Sequence, residues 1–124
     1  MPQTTNPVVF VEIPVCDIDR AMTFYGAVFG FEFDTTIIDG NEMAMLPFND
    51  QRAGISGALA KGEIYKPTHD GVLVYFATHD IAATLHRATT CGGRVLYPVT
   101  DNGMGLVAEF EDTEGNRIAL YQQK

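Results

Sequence analysis

The hydrophobic and polar positions along the chain follow two periods, and together they predict strands and helices in a fixed order. Residues 8–15, VVFVEIPV, form a nearly continuous apolar run, which is typical of a buried strand. Apolar or small residues then recur every three or four positions, which predicts a helix with one buried stripe. That stripe consists of Ile18, Ala21, Met22, Tyr25, Val28 and Phe29. Asp17 is a suitable N-cap because its carboxylate can accept from free backbone N–H groups, and Gly30 is placed to end the helix.

The same plan returns 63 positions later, where Asp80 takes the place of Asp17. Residues 71–78 repeat the strand, and Gly93 stands where Gly30 stood. The helical stripe is repeated by Ile81, Thr84, Leu85, Ala88 and Cys91. An internal repeat of the helix N-cap, the apolar stripe and the glycine that ends the helix predicts two copies of one structural module.

Turn signals separate three further strands after each predicted helix. The strands are predicted over residues 31–38, 42–46, 53–60, 94–98, 105–111 and 117–122. Each half therefore has the order β-α-β-β-β. We expect an α+β fold in which two βαβββ modules, residues 8–61 and 70–122 of a single domain over 1–124, form one curved mixed sheet of eight strands. Helices would cover its convex face, and a cleft would open on the concave face.

Composition and charge narrow the classes of partner. The chain has 124 residues, 46% of them hydrophobic, which favours one compact domain over disorder. Its net charge of −8 argues against nucleic acid and anionic membranes as main partners. No apolar run approaches the roughly 18 residues of a membrane span, and the N-terminus does not resemble a signal peptide. A cytoplasmic protein is expected.

Three segments resemble the vicinal oxygen chelate superfamily, the group of glyoxalases, bleomycin resistance proteins and extradiol dioxygenases. EIPVCDIDRAMTFYGAVFG is similar to its first strand–helix unit, and HDIAATLHRATTCGGRVLYP to its second. FEDTEGNRIALY resembles its closing hairpin. The resemblance covers residues 8–122 and implies paired βαβββ modules, a cleft for a small molecule and a homodimer.

The resemblance also locates the positions of the usual metal ligands. Metal-dependent members carry a His on the first strand of each half and a Glu on the last strand of each half. The matching positions here are Phe10, Leu73, Gly57 and Ala119. Their side chains cannot coordinate a divalent ion. We therefore expect no metal cofactor, which argues against glyoxalase I and extradiol dioxygenase activity.

The histidines and cysteines offer no replacement site. His69 lies in the linker between the halves, His79 precedes the second helix, and His86 lies on the polar part of that helix. Each is expected to be solvated or to cap a helix. Cys16 and Cys91 are expected to be free thiols rather than a disulfide.

Strand alternation predicts which side chains line the cleft. Together with Val8 and Pro14, the expected lining residues are Phe10, Glu12, Gly57, Leu73, Tyr75, Arg117, Ala119 and Tyr121. The residues expected to face the helices are Val9, Val11, Ile13, Val72, Val74, Phe76, Ile118 and Leu120. The predicted cleft wall is therefore mixed, with aromatic and charged side chains.

Glu12 is the candidate for chemistry, because it is an acid in an otherwise apolar strand and a buried carboxylate needs a partner. It is either one half of a structural contact, with Arg117 or Tyr75, or a group that orients a ligand or acts as a general base. Arg117 could neutralise Glu12 or bind an anionic group. Met43 and Met45 alternate on a strand and are expected to pack there.

Three functions follow from these residues. The first is a protein that binds a small, partly apolar organic molecule without a metal; the acidic net charge suits a cationic ligand. The second is a lyase or isomerase that uses Glu12 as its base. The third is an interaction module with a vestigial cleft.

Overall fold

The computed structural model describes residues 4–52 and 54–124, and two βαβββ modules follow one another along the chain. The first contains β1 (Phe10–Pro14), α1 (Ile18–Phe29), β2 (Asp34–Ile38), β3 (Asn41–Met45) and β4 (Ser56–Lys61). The second contains β5 (Tyr75–Ala77), α2 (Ile81–Thr90), β6 (Arg94–Asp101), β7 (Gly105–Glu111) and β8 (Arg117–Gln123). The predicted α+β fold and order of elements are confirmed. Neither helix is long and apolar enough to cross a membrane, within the described residues.

The eight strands form two four-stranded sheets with the same topology. The strand orders are β1-β4-β3-β2 and β5-β8-β7-β6. β1 runs parallel to β4, and β5 runs parallel to β8. The other neighbouring strands are antiparallel. Within the described residues, β1 and β5 lie at the edges of their sheets and do not pair with each other, so the eight strands form two sheets rather than one.

Helix boundaries follow the predicted caps, with one correction. The Asp17 carboxylate accepts from the Arg20 N–H at 3.0 Å, and Gly30, at φ 76°, ends α1 in the left-handed region. At the end of α2 that conformation belongs to Gly92, at φ 111°, and not to the predicted Gly93. Gly93 is required for packing, since a Cβ there would lie 2.5 Å from the carbonyl oxygen of Glu111.

Most strands differ in length from the prediction. β1, β2 and β4 are shorter than the predicted 8–15, 31–38 and 53–60, and residue 53 lies outside the described residues. The strand predicted over 71–78 is shorter, Tyr75–Ala77, although the Val74 carbonyl oxygen and the Thr78 N–H at its ends also bond to β8. The strand predicted over 94–98 continues to Asp101, with irregular register on both sides of Tyr97. Pro98 lies within the second irregularity, and it has no N–H to donate to the neighbouring strand.

One hydrophobic core joins the helices to both sheets. Phe24 and Tyr25 of α1 pack near Phe110 and Phe76 of the second module, with ring centroids 5.8 Å and 6.3 Å apart respectively. The predicted helix-facing residues Ile13, Phe76, Ile118 and Leu120 lie in or against this core. The prediction was wrong for Val9 and Val72, which are 73% and 91% exposed, because both precede the paired part of their strands. Cys16 and Cys91 are free, as expected.

The turn between β7 and β8 fastens the second module to the first. The Glu114 carboxylate accepts from the backbone N–H groups of Cys16 and Asp17, both at 2.9 Å, and from Arg20 Nε at 2.7 Å. In the same turn, the buried Asp112 accepts from the Tyr25 hydroxyl at 2.6 Å. A side chain from the last hairpin therefore holds the start of α1.

A second contact of this turn reaches β1. The Asn116 side-chain amide donates to the carbonyl oxygen of Pro14 at 2.7 Å and to the Asp112 carboxylate at 3.0 Å. Asp112 and Asn116 are 3% and 4% exposed, so water does not compete strongly for these bonds. We call residues 112–116 the clamp turn.

The clamp turn changes the acidity of Glu114. Burial alone would raise the pKa of this carboxyl, but the hydrogen bonds from Arg20 and from the Asp17 and Cys16 backbones outweigh it and lower the pKa from 4.5 to about 2. A pKa that falls on folding stabilises the native state above the unfolded pKa. This stabilisation is lost as the pH falls from 4.5 towards 2.

We expect Glu114→Gln to lower the free energy of unfolding by about 2 kcal/mol near neutral pH, because charge-assisted hydrogen bonds are lost. Urea unfolding at about pH 7 and about pH 3 should show a smaller loss of stability with acid in the variant than in the wild type. Glu32→Gln, at an exposed carboxylate, is the matched control. Equal acid sensitivity of wild type and Glu114→Gln would contradict the role of the clamp turn.

Candidate functional site

The four positions that match the usual metal ligands do not form a metal site. Phe10 lies on β1, Leu73 is half-buried before β5, and Gly57 and Ala119 are buried in β4 and β8. Over residues 4–52 and 54–124, no group of three or more His, Cys, Asp or Glu side chains is arranged to hold a metal ion. The residues at these positions therefore do not fit a divalent metal.

At two of these positions, small residues allow neighbouring strands to pack closely. A Cβ on Gly57 would lie 2.6 Å from the carbonyl oxygen of Val11, so the close pairing of β1 and β4 requires glycine there. Ala119 is fully buried and pairs with both Tyr75 and Glu109. Neither residue lines the grooves and the cavity described below, which differs from the predicted cleft wall.

The face of the first sheet that points away from α1 is covered by the chain itself. Met43, Ala58 and Ala60 are buried there, and Met45 and Tyr65 pack against them. The predicted packing role of Met43 and Met45 is thus confirmed. Tyr65 comes from the linker between the modules, for which the sequence pattern gave no periodicity and therefore no signal.

Glu12 is exposed and bonded to this tyrosine. Its carboxylate accepts from the Tyr65 hydroxyl at 2.9 Å. Arg117 instead donates to Glu109, with Nε at 2.7 Å, and Tyr75 lies on the wall of a separate cavity. Both predicted partners of Glu12 were therefore wrong, and so was its predicted burial in an apolar wall.

Glu12 and Arg117 nevertheless line one groove of about 200 Å³ between the modules. Asp70, Val72 and Val74 contribute to its walls. The two predicted charged residues are thus brought to the same groove without contacting each other through a hydrogen bond or ion pair in the described part of the chain.

A larger, mostly apolar cavity lies between the outer strands of the two sheets. Its volume is about 620 Å³, within the range of roughly 300–1,000 Å³ that is usual for small-molecule sites. The lining residues share an apolar or aromatic character and come mainly from β1 and β5: Val8, Phe10, Val11, Leu46, Gly54, Ile55, Val72, Val74, Tyr75, Phe76 and Ala77. We call this space the inter-sheet cavity.

The structure brings some of the predicted lining residues to the inter-sheet cavity and not others. Phe10 and Tyr75 lie there, 39% and 54% exposed. Tyr121 lines a different groove of about 240 Å³ next to His79, and its hydroxyl donates to the Met104 carbonyl oxygen at 3.2 Å. Leu73 is half-buried and lines neither space.

Other cavity residues were not predicted, because they were expected to face the helices. Val11, Val72 and Val74 were expected to face the helices, but they line the inter-sheet cavity. Val72 and Val74 also line the groove of Glu12 and Arg117, so these two side chains separate an apolar space from a charged one. Strand alternation does not reach Val72 and Val74, since the ladder of β5 begins at Tyr75.

A charged cluster occupies the second sheet. The Glu111 carboxylate lies 2.5 Å from His69 Nε2 and accepts from Arg94 Nε at 3.0 Å. The hydrogen bond from Arg94 is the main cause that lowers the pKa of Glu111, and His69 adds to it. His69, predicted to be a solvated or capping residue, has an acidic partner and anchors the linker to the second module.

Comparison with known proteins agrees with this architecture. The profile of the Glyoxalase/Bleomycin resistance protein/Dioxygenase superfamily matches residues 7–120. A glyoxylase-like domain-containing protein from Didymella fabae is 30% identical over 115 residues, which cover 89% of this chain and 88% of that protein.

Solved structures share the fold at lower identity. A glyoxalase I mutant from Zea mays aligns with a TM-score of 0.71 and 20% identity over 94% of this chain, which spans only 46% of the maize chain. TnmS3, an antibiotic binding protein from Streptomyces sp. CB03234, aligns with a TM-score of 0.69 and 22% identity over 99% of this chain and 100% of its own. The family profile covers nearly the whole sequence, and the paired βαβββ modules match it. The chain therefore belongs to the glyoxalase/bleomycin resistance protein/dioxygenase superfamily.

Proposed function

We propose that the protein binds a small, partly apolar organic molecule in the inter-sheet cavity, without a metal. The observation that carries this proposal is the apolar lining, which includes the exposed rings of Phe10 and Tyr75. Burying such surface against a ligand removes it from water and is favourable. The fold is compatible with this function, since TnmS3, which shares it, is an antibiotic binding protein.

The net charge of the protein and the geometry of the cavity narrow the chemical class of the ligand. The net charge of −8 favours a neutral or cationic molecule over an anionic one. The Tyr75 hydroxyl is the polar group of the cavity wall that can orient a ligand. The enzyme alternative is less well supported, because Glu12 lies outside the inter-sheet cavity and is bonded to Tyr65. The cytoplasmic location stays a prediction.

We further propose that the protein is a homodimer in which a second copy covers β1 and β5. Both are outer strands, so one edge of each has free backbone N–H and C=O groups. Val9 and Val72, beside these edges, are 73% and 91% exposed. An unpaired edge strand flanked by exposed valines is suited to pairing with another strand, and the same contact would enclose the inter-sheet cavity.

Ligand binding can be tested with Nile red, a neutral apolar dye whose fluorescence rises in apolar surroundings. We expect the protein to bind the dye, and we expect Phe10→Ala to weaken binding roughly tenfold, because a large aromatic contact is lost. Phe48→Ala is the matched control, since Phe48 is exposed but does not line the cavity. Equal affinity in the two variants would overturn the assignment of the site.

Dimerisation can be tested by sedimentation velocity at micromolar concentration. We expect the wild type to be a dimer, and we expect Val72→Lys to shift it towards monomer, because a charge at the contact must lose its hydration. Met104→Lys is the control, at an 80% exposed residue between β6 and β7. A monomeric wild type, or an unaffected Val72→Lys dimer, would contradict the proposed interface.

Independence from metal is a separate prediction. Adding Ni²⁺, Zn²⁺, Mn²⁺ or Fe²⁺ should leave both the melting temperature and Nile red binding unchanged, because Phe10, Leu73, Gly57 and Ala119 offer no ligand atoms in their side chains. Thermal unfolding and metal analysis of the purified protein measure this. A stoichiometric metal that raises the melting temperature would show that another set of residues binds it.

A further inference from the structure

The strand β2 leaves one backbone edge of the first sheet open. It is the last strand in the order β1-β4-β3-β2, so within the described residues it pairs only with β3. All five of its residues are exposed, and two of them, Ile37 and Ile38, are apolar and 64% and 40% exposed. An edge of this kind is a surface to which another strand can be added.

The hairpin between β2 and β3 determines which backbone groups point outwards. Asp39 and Gly40 have φ of 51° and 77°, as a two-residue type I′ turn requires. The residues that flank such a turn exchange hydrogen bonds, and bonded and non-bonded pairs then alternate along the ladder. With the observed register, Thr35 and Ile37 belong to non-bonded pairs, so their N–H and C=O groups point to the free edge.

The second sheet protects its corresponding edge, whereas the first does not. The outer strand β6 has an irregular register on both sides of Tyr97, and Pro98 has no N–H to offer a neighbour. In contrast, β2 has a regular register and contains no Pro, Lys or Arg, the residues by which edge strands commonly avoid pairing. Because the modules repeat each other, this difference marks β2 as the edge that accepts a partner.

A groove of about 350 Å³ lies beside this edge, between α1 and the hairpin of β2 and β3. Ile18, Met22 and Ile37 contribute apolar side chains to it, and the side chains of Asp19 and Glu42 also line it. Ile37 thus gives its side chain to the groove and its backbone to the free edge. A side chain carried by an added strand would meet both apolar surface and carboxylates there.

The charge around the edge selects a cationic partner. Residues 31–42 contain four acidic residues and no Lys, Arg or His, and Asp19 lines the groove from α1. Lys61 lies 3.4 Å from Glu42, but their side chains are 46% and 50% exposed, so this ion pair is weakened by water. A second copy of the chain would bring like charges to the edge, which disfavours pairing of β2 with itself.

We propose that the free edge of β2 binds an extended peptide, which adds antiparallel to this strand and carries Lys or Arg at every second position. Its backbone exchanges hydrogen bonds with Thr35 and Ile37. Residues opposite each other in an antiparallel pair have their side chains on the same face, so the basic side chains lie over the groove. Their aliphatic stems contact Met22 and Ile37, while their charged ends approach Asp19 and Glu42. This surface is distinct from the inter-sheet cavity, and the proposal does not rest on the proposed function.

The first test uses synthetic hexapeptides of alternating lysine and valine, or of alternating glutamate and valine, in NMR titrations. We expect the lysine peptide to bind and the glutamate peptide to bind at least roughly tenfold more weakly, because its charge has the same sign as the groove. N-methylation of the lysines removes the N–H groups that face β2 and should abolish binding. N-methylation of the valines, whose N–H groups point away, should leave the affinity within about twofold. A lysine peptide that does not bind, or equal affinity of the two methylated peptides, would overturn the proposal.

Hydrogen exchange locates the bound peptide on the protein. The N–H groups of Thr35 and Ile37 should exchange more slowly when the lysine peptide is present, and Thr36, already bonded to β3, is the internal reference. Ile37→Lys should weaken peptide binding roughly tenfold, because it adds a like charge to the groove. Val99→Lys makes the same change of charge in the corresponding groove between α2 and β6 and is the matched control.

The oligomeric state distinguishes a peptide from a second copy of the chain. We expect Ile37→Lys to sediment as the wild type does, since the proposed dimer uses β1 and β5. Dissociation of a dimer by Ile37→Lys would assign this edge to a second copy, and unchanged exchange at Thr35 and Ile37 would place the peptide elsewhere; either result overturns the proposal. Phe10→Ala should leave binding of the lysine peptide unchanged, so the inter-sheet cavity and the edge of β2 are tested independently.

Discussion

The clamp turn is the constraint on which the arrangement of the two modules depends. In the part of the chain that the structure describes, the sheets share no backbone ladder, so strand pairing does not fix one relative to the other. The shared core supplies attraction, but hydrophobic contact has little directionality. Glu114, Asp112 and Asn116 add direction, because each bonds to a specific atom of β1, α1 or the residues between them. The inter-sheet cavity exists only while the modules keep this arrangement.

The sequence predicts the fold well because local signals agree with one another. Asp17 and Asp80 start their helices, and Gly30 ends the first, each by a mechanism that acts over a few residues. The 63-residue repeat then supplies the long-range information that a single module lacks. Local signals do not show whether β1 and β5, the outer strands of the two modules, pair with each other. That pairing depends on how the complete modules pack.

The site is less predictable, and the residues show why. Phe10 and Tyr75 reach the inter-sheet cavity, but so do Val11 and Phe76, the next residues in the same ladders, so alternation alone does not select its lining. Val72 and Val74 precede β5, and only the carbonyl oxygen of Val74 is held by β8, through the Ala119 N–H at 2.9 Å. Glu12 was expected to be buried because the strand around it is apolar. Its exposure and its partner depend on the linker, whose path is set by a close approach at Gly62 and by anchors on the second module.

In the proposed dimer, copies of this chain associate through the outer strands β1 and β5. They are different strands, so β1 of one copy can pair with β5 of a second copy. When β5 of the first copy also pairs with β1 of the second, the assembly closes at two copies. If the second pairing fails, one β1 and one β5 stay available at the ends, and each added copy restores the same pair of free ends. The same surface would then support an open chain of molecules. In the proposed dimer, closure at two copies would thus depend on the angle between the sheets, to which the clamp turn contributes by bonding the second module to the first.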